Sequence, residues 1–134
     1  MAKISILIDT DIFIDALKGV KSAKELFRTK EIERYCSILS KKELLSKGGL
    51  KDSERKKILN LLAQVRVLRI DDDIHRKFFS LTKKYGDRED LFVDYVIAAT
   101  TWSKKLPLLT RNRKHFDRIQ EITLAPAYEG DNAL

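Results

Sequence analysis

The sequence predicts an α/β fold, a three-layer sandwich in which helices cover both faces of a mostly parallel sheet. Short apolar runs alternate with helix-like patterns along the chain, which is typical of parallel sheets. The first run, residues 4–8, is apolar at nearly every position, as expected for a central strand covered on both faces. No internal repeat or linker is visible, so we expect residues 1–134 to form a single domain with 126–134 as a mobile tail.

The predicted strands and helices follow one another in chain order. Apolar runs bounded by polar residues predict strands at residues 4–8, 35–39, 65–68, 106–110 and 121–124. Apolar residues spaced three and four apart predict helices between residues 10 and 19 and at 22–29, 40–47, 53–63, 72–85 and 91–102. The last of these helices is apolar on nearly all sides, so we expect it to be buried inside the domain.

Capping residues set several of these bounds. Thr10 is predicted to cap the first helix and Gly19 to end it. Ser40 is predicted to begin the third helix, because Ser40-Lys41-Lys42-Glu43 matches a capping box in which the glutamate binds the amide of the capping serine. Gly48-Gly49 is expected to end that helix.

Composition limits the classes of function. No apolar run approaches the ~20 residues that a membrane span needs, and Asp9 comes too early for the apolar stretch of a signal peptide. The single cysteine, Cys36, has no partner for an internal disulfide and is expected in the core. We therefore expect a cytoplasmic protein. The net charge of +7 favours an anionic partner such as nucleic acid, but basic residues spread along nearly the whole chain fit a solvated surface equally well.

Asp9 follows the first predicted strand directly. Ligands of open α/β sheets bind outside the carboxyl ends of the strands, so Asp9 is a candidate site residue. Aspartate is also a good cap for a following helix. The position of Asp9 alone leaves both roles open.

Asp94 lies in the apolar segment 91–99. A buried carboxylate without a partner is strongly unfavourable or loses its charge, so we expect Asp94 to contact an arginine, a lysine or a metal ion. Asp90 lies one turn earlier, and two carboxylates on one helix face favour a divalent cation over a single lysine. An internal salt bridge remains the alternative for Asp94.

Glu43 also has two candidate roles. The capping box described above would satisfy the first turn of its helix. A glutamate in that turn would also face the same sheet edge as Asp9, provided that the preceding strand is parallel to the first. The two roles do not exclude each other.

The segment after the strand at 106–110 combines polar and basic side chains. Asn112 is a candidate helix cap or a residue that orients a metal-bound water. Arg111, Arg113 and Lys114 are candidates for a solvated face or for phosphate contacts. His115 is expected at the surface or at a partner contact, because a single histidine beside a phenylalanine is weak support for catalysis.

Other chemistries lack the residues that they need. With one cysteine and two histidines, no nucleophilic triad is recognisable, and the chain contains no Gly-rich phosphate loop. Several acids without a nucleophile suit a hard cation, since oxygen ligands bind Mg²⁺ or Mn²⁺. The reaction that such an ion supports is phosphodiester hydrolysis by an activated water.

Four segments resemble the PIN-domain ribonucleases, and more narrowly the VapC toxins of bacterial and archaeal toxin–antitoxin pairs. Residues 6–11 resemble the opening strand with its aspartate, and residues 37–44 the second acidic motif. Residues 94–100 resemble the third motif, an aspartate followed by Ile-Ala-Ala, and residues 108–116 the closing Thr-Arg-Asn segment. The match extends over the whole chain in the family's order and spacing.

The resemblance implies an acidic triad of Asp9, Glu43 and Asp94 around Mg²⁺, for which Mn²⁺ is expected to substitute. It places Asn112 at a fourth position, where many PIN nucleases have an aspartate. Asp11, where Asn or Ser is commoner in the family, would restore one negative charge nearby. The resemblance further implies a tRNA or rRNA substrate, a homodimer and inhibition by a cognate VapB-type antitoxin.

We therefore predict a metal-dependent ribonuclease that is the toxin of a VapBC pair. Asp9 and Asp94 are predicted to bind Mg²⁺ directly, and Glu43 and Asn112 to position the attacking water or an outer-sphere ligand of the ion. The two arginines of the closing segment are predicted to steer the RNA backbone. The alternatives are a catalytically silent PIN module that binds RNA or protein, and a housekeeping RNA-processing nuclease without an antitoxin.

Overall fold

The computed structural model describes residues 3–126 and confirms the predicted α/β fold, with helices on both faces of a parallel sheet. Within these residues the strands are β1 (Ile4–Ile8), β2 (Ile32–Ser37), β3 (Arg66–Leu68) and β4 (Leu108–Leu109), in the sheet order β3-β2-β1-β4. The helices are α1 (Thr10–Leu17), α2 (Lys21–Leu26), α3 (Ile38–Ser46), α4 (Asp52–Leu62), α5 (Asp72–Tyr85), α6 (Phe92–Lys104) and α7 (Arg113–Phe116), with a 3₁₀ turn at Glu89–Leu91. The predicted mobile tail lies outside the described residues, apart from Pro126.

The apolar run of β1 is explained by its central position. β1 pairs in parallel with β2 on one side and with β4 on the other. Ile6 and Ile8 pack in the core layer beneath α1 to α4, whereas Leu7 packs in the opposite layer with α5 and α6. Each of these buried side chains contributes about 1.5–3 kcal/mol to folding. Because all strands are parallel, their carboxyl ends meet at one edge, from which α1, α3 and the segment before α7 begin.

The apolar helix α6 is buried as predicted. Residues 95–101 are each at most 3% exposed. Phe92, in the first turn, is 49% exposed. The helix therefore holds Asp94 at the boundary between an exposed first turn and a buried centre.

The predicted N-terminus of the third helix is wrong. α3 begins at Ile38, because the Ser37 hydroxyl accepts a hydrogen bond from the amide of Leu39 at 3.1 Å and caps the helix. Ser40 therefore lies inside the helix and is fully buried. Glu43 falls in the second turn of α3, beyond the position that a capping box requires. The serine that caps α3 is thus three residues earlier than predicted.

Most other bounds differ by one or two residues, but β2 begins at Ile32 and α2 ends at Leu26, each three residues before the predicted position. Residues 121–124 do not form the predicted strand, and only Leu124 bridges to Leu108. Gly19 follows the C-cap Lys18 of α1 with φ 90°, a left-handed conformation that glycine adopts without strain. The predicted end of the first helix is therefore confirmed.

Two expectations from composition can be compared with the structure. Cys36 is fully buried, as predicted for a core residue, and burial raises the pKa of its thiol to about 12. The thiol is therefore neutral at physiological pH. Across residues 3–126, no helix has both the length and the apolar character needed to span a membrane.

Candidate active site

Asp9 lies at the carboxyl end of β1 and caps α1, so both roles that the sequence left open are compatible. Its Oδ1 accepts a hydrogen bond from the amide of Thr10 at 2.8 Å. Asp9, and not Thr10 as predicted, is therefore the N-cap of α1. Its Oδ2 accepts a hydrogen bond from the hydroxyl of Thr110, just after β4, at 2.7 Å. Groups from two neighbouring elements thus orient both carboxylate oxygens.

The pKa of Asp9 is influenced by the two other acids of the predicted triad. Burial raises the pKa of Asp9 above its ordinary value of 3.8, while the hydrogen bonds from Thr110 and Thr10 lower it. The negative charges of Asp94 and Glu43 raise the same pKa. Asp9 follows β1, Glu43 lies on α3 after β2, and Asp94 contacts His115 in the helix after β4. The three acids therefore lie at the same edge of the sheet.

Glu43 is linked to the site through Thr10. The Thr10 hydroxyl is nearly buried and lies 2.9 Å from the hydroxyl of Ser40 and 3.4 Å from Oε1 of Glu43. Glu43 itself is exposed. Because Ser37 caps α3, the capping role of Glu43 is excluded, and its carboxylate is accessible beside the start of α1.

Asp94 lies in the first turn of α6 with its side chain 18% exposed. Its Oδ2 lies 2.7 Å from Nδ1 of His115, a partner that the sequence did not suggest. Asp90 does not join it, because the Asp90 carboxylate forms an exposed pair with Arg88 at 3.1 and 2.7 Å. The prediction that Asp90 and Asp94 together attract a cation is therefore wrong.

The two arginines of the closing segment lie at the same edge, and other groups hold them there. Nη1 of Arg111 contacts both carboxylate oxygens of the nearly buried Asp15, at 3.0 and 2.9 Å. Nη1 of Arg113 donates to the carbonyl of Ala125 at 2.9 Å. Each guanidinium group is thus held by a partner within the domain.

His115 is the site residue that sequence reasoning did not identify. Asn112 is the N-cap residue of the one-turn helix α7, and His115 follows three residues later on the same face. The side-chain amide of Asn112 lies 2.8 Å from Nδ1 of His115. That spacing of three was a usable signal for the pair, whereas nothing in the sequence indicated the contact with Asp94.

Asp11 adds a fourth carboxylate beside Asp9. Its Oδ2 accepts a hydrogen bond from the amide of Arg111 at 3.0 Å and lies 3.4 Å from the Thr110 hydroxyl. Its Oδ1 is buried and has no hydrogen-bond partner among the described residues. Burial, and then the charge of Asp9, raise the pKa of Asp11 to about 6. An unpaired buried carboxylate oxygen next to a second carboxylate favours a bound cation.

The donor chemistry fits a hard divalent cation. Carboxylate and amide oxygens are the ligands that Mg²⁺ and Mn²⁺ prefer. As the side chains stand, no three His, Cys, Asp or Glu residues between 3 and 126 lie close enough together to hold a metal ion jointly. Mg²⁺ commonly takes only one or two protein carboxylates and keeps several waters.

Fold and site together define a parallel α/β protein with a carboxylate cluster at the carboxyl edge of its sheet. The chain matches the PIN domain family over residues 6–122. It is 31% identical to Ribonuclease VapC10 of Mycobacterium tuberculosis, over 87% of this chain and 90% of the relative. It is 30% identical to Ribonuclease VapC1 of Methanocaldococcus jannaschii, over 89% and 84% of the two chains.

A solved structure gives the same result. A chain of a toxin–antitoxin complex from Klebsiella pneumoniae superposes with a TM-score of 0.73 at 25% identity, over 92% of this chain and 99% of the other. The chain therefore belongs to the PIN-domain family, and within it to the VapC group. The resemblance seen in the four sequence segments is confirmed.

Proposed function

We propose that this protein is a divalent-metal-dependent ribonuclease that hydrolyses RNA phosphodiester bonds in the cytoplasm, as the toxin of a VapBC-type pair. The convergence of Asp9, Glu43 and Asp94 at one edge of the sheet gives the strongest support. Burial, and the charges of Asp94 and Glu43, raise the pKa of Asp9, so a bound cation would stabilise its ionised form. Carboxylates arranged in this way are typical of a functional site and unusual in a purely structural one.

Asp9 and Asp94 are the residues proposed to bind Mg²⁺ directly. Thr10 and Thr110 orient the Asp9 carboxylate before any ion arrives. A bound Mg²⁺ supplies positive charge that stabilises the transition state and makes water more acidic. Glu43, exposed beside this edge, is proposed to hold the attacking water, together with the side chain of Asn112.

Arg111 and Arg113 are proposed to hold the RNA backbone. The net charge of +7 favours a polyanionic substrate. Asp15 and the Ala125 carbonyl fix the two guanidinium groups, so little side-chain freedom is lost when phosphate binds. A structured RNA such as tRNA or rRNA is the proposed substrate.

The test is cleavage of total RNA, with the fragment ends mapped by sequencing. Wild type is expected to cut at defined positions with Mg²⁺, and Asp94→Asn is expected to be inactive. Asp90→Asn is the matched control, because Asp90 lies four residues before Asp94 but pairs with Arg88 outside the site. Equal loss of cleavage in both variants would contradict the proposed site.

The two alternatives make different predictions in the same experiments. A silent PIN module would bind RNA without cutting it in Mg²⁺. A housekeeping nuclease would cut RNA but would not arrest growth when expressed without an antitoxin. An adjacent small gene that encodes a DNA-binding antitoxin would favour the toxin.

A groove beside the site is proposed to bind the antitoxin. It has a volume of about 410 Å³, and Thr10 and Glu43 line one part of it. Its apolar lining comes from α1, α3 and α4 and the segment between α3 and α4: Ile14, Leu17, Leu44, Leu50 and Ile58. Three lysines also line it, so an apolar helix with acidic flanks would fit and its end would reach Glu43.

Inhibition by the product of the adjacent gene tests this groove. Ile14 is 39% exposed in the groove, so Ile14→Asp is expected to keep the fold but resist inhibition. Leu59→Asp is the control, because Leu59 is a similarly exposed apolar residue, at 43%, outside the lining of the groove. Full inhibition of Ile14→Asp would contradict the proposed binding surface.

A homodimer is proposed to form through an exposed row of rings on α5 and α6. Neighbouring ring centroids lie 4.9, 5.5 and 5.3 Å apart along the row His75, Phe79, Phe78 and Phe92. Phe79 is 57% and Phe92 49% exposed. A linked aromatic surface of this kind marks an interaction site. An apolar aromatic surface is self-complementary, as a two-fold interface between identical copies requires.

Sedimentation velocity tests the dimer. Wild type is expected to be dimeric, and Phe79→Lys monomeric. Leu59→Lys introduces the same charge at another exposed apolar position and is expected to remain dimeric. A monomeric wild type, or a dimeric Phe79→Lys, would contradict the proposal.

A further inference from the structure

His115 is exposed to solvent yet held in a defined position. Its side chain is 47% exposed. The next residue, Phe116, is 1% exposed and anchors α7 in the core. The backbone amide of His115 donates to the carbonyl of Asn112 at 3.1 Å, which closes the turn. The imidazole therefore projects from a rigid element at the edge of the carboxylate cluster.

The two contacts of Nδ1 determine where its proton lies. Nδ1 is 2.7 Å from Oδ2 of Asp94 and 2.8 Å from the side-chain amide of Asn112. An ionised carboxylate only accepts hydrogen bonds, so Nδ1 bears the proton, whether the ring is neutral or charged. The Asn112 atom nearest to Nδ1 is Nδ2, and a protonated Nδ1 cannot accept a hydrogen bond from it. Exchanging the oxygen and nitrogen of this amide, which have nearly the same shape, makes the contact a hydrogen bond, and one N–H then donates to Asp94 and Asn112 together.

Building on the proposed nuclease function, we infer that His115 is a positioning residue that fixes Asp94 and Asn112 for cation binding. Its Nδ1–H holds Oδ2 of Asp94 and leaves Oδ1 for the ion. Without this hydrogen bond, the Asp94 side chain would keep rotational freedom that binding must remove. Losing an outer hydrogen bond of this kind typically weakens metal affinity about 10- to 100-fold.

The test measures Mn²⁺ binding by calorimetry, with no RNA present. His115→Leu is expected to bind Mn²⁺ about 10- to 100-fold more weakly than wild type. His115→Asn is expected to restore most of the affinity, because its side-chain NH₂ is a donor at nearly the position of Nδ1–H. Asn60→Leu is the control, since Asn60 is an exposed polar residue of α4 outside the proposed site and outside the proposed interfaces.

Cleavage and melting complete the test. In EDTA all variants are expected to melt near wild type, because His115 and Asn60 are both exposed. Excess Mn²⁺ is expected to restore cleavage by His115→Leu. The inference would be overturned if His115→Leu bound Mn²⁺ as tightly as wild type or more tightly. It would also be overturned if the wild-type protein bound no Mn²⁺ in the absence of RNA. If the predicted affinities are found without any RNA cleavage, the nuclease proposal fails and the positioning role stands. If RNA is cut but His115→Leu binds Mn²⁺ normally, only the positioning role fails.

Discussion

Replacing Asp11 by Asn tests the charge repulsion within the site. Asparagine retains an oxygen that can accept the 3.0 Å hydrogen bond from the Arg111 amide. The substitution also removes the negative charge of the Asp11 carboxylate, whose Oδ1 has no hydrogen-bond partner among residues 3–126. Burial, and then the charge of Asp9, raise the pKa of Asp11 from 3.8 to about 6. The folded protein therefore binds this proton more tightly than the unfolded chain. Without metal, the free energy of unfolding falls as pH rises through the window between these values.

The size of the effect follows from the pKa. A difference of about two units corresponds to about 3 kcal/mol. Because the Asp11 side chain is only partly buried, solvent screening reduces this value. We expect Asp11→Asn to be more stable than wild type by about 1–2 kcal/mol at pH 7.5 in EDTA, or ~3–10 °C in melting temperature. At pH 4 the difference should nearly vanish, because Asp11 is then protonated in the folded protein.

Urea unfolding in EDTA at pH 7.5 and pH 4 measures this difference, and the single tryptophan, Trp102, provides the fluorescence signal. Asp15→Asn is the control on the same helix. Asp15 is nearly buried but paired with Arg111, so its neutralisation should destabilise the protein by about 1 kcal/mol or more at pH 7.5. An Asp11→Asn variant that is less stable than wild type at both pH values would refute the reasoning.

Three further predictions concern the acids and the metal. Asp94→Asn is expected to abolish cleavage yet to be at least as stable as wild type in EDTA. The reason is that the asparagine oxygen still accepts a hydrogen bond from His115, while one repelling charge is lost. A much lower melting temperature would assign Asp94 a structural role. Glu43→Gln is expected to melt like wild type but to cleave RNA about tenfold more slowly or worse, which is equivalent to ~1.4 kcal/mol of activation barrier. Retained cleavage would remove Glu43 from the mechanism. Mg²⁺ and Mn²⁺ are expected to support cleavage and to raise the melting temperature. Ca²⁺ takes more ligands at longer distances, so it should stabilise the protein without supporting cleavage. Cleavage in Ca²⁺ at the Mg²⁺ rate would contradict this prediction.

The parts of the fold that could be predicted are those that local patterns determine. The apolar run before Asp9 indicated a central strand, and the apolar surroundings of Asp94 indicated a buried helix, because burial on all sides leaves a continuous apolar pattern. The start of α3 was misplaced because Ser37 and Ser40 are both good caps, and the capping box selected the wrong one. Which serine caps the helix depends on where β2 leaves the sheet, and local sequence does not contain that information.

The candidate site was predictable as a set of residue types, but its contacts were not. Strand ends and a buried acid pointed to Asp9 and Asp94. The pairing of Asp94 with His115, and of Arg111 with Asp15 across 96 positions, depends on how α1, α6 and α7 pack. Helical spacing alone suggested Asp90 as the neighbour of Asp94, but the 3₁₀ turn before α6 lets Asp90 pair with Arg88 instead. Contacts between distant segments therefore required the structure.

The most direct test of the central claim is the rate of RNA cleavage by wild type and Asp9→Asn, first in EDTA and then after Mg²⁺ is added back. Asparagine at position 9 retains an oxygen that can cap α1, so loss of activity would reflect the missing charge. We predict no cleavage by wild type in EDTA, full recovery with Mg²⁺, and no cleavage by Asp9→Asn in either condition. Cleavage by wild type in EDTA, or by Asp9→Asn at the wild-type rate, would contradict a mechanism based on these carboxylates and a divalent ion.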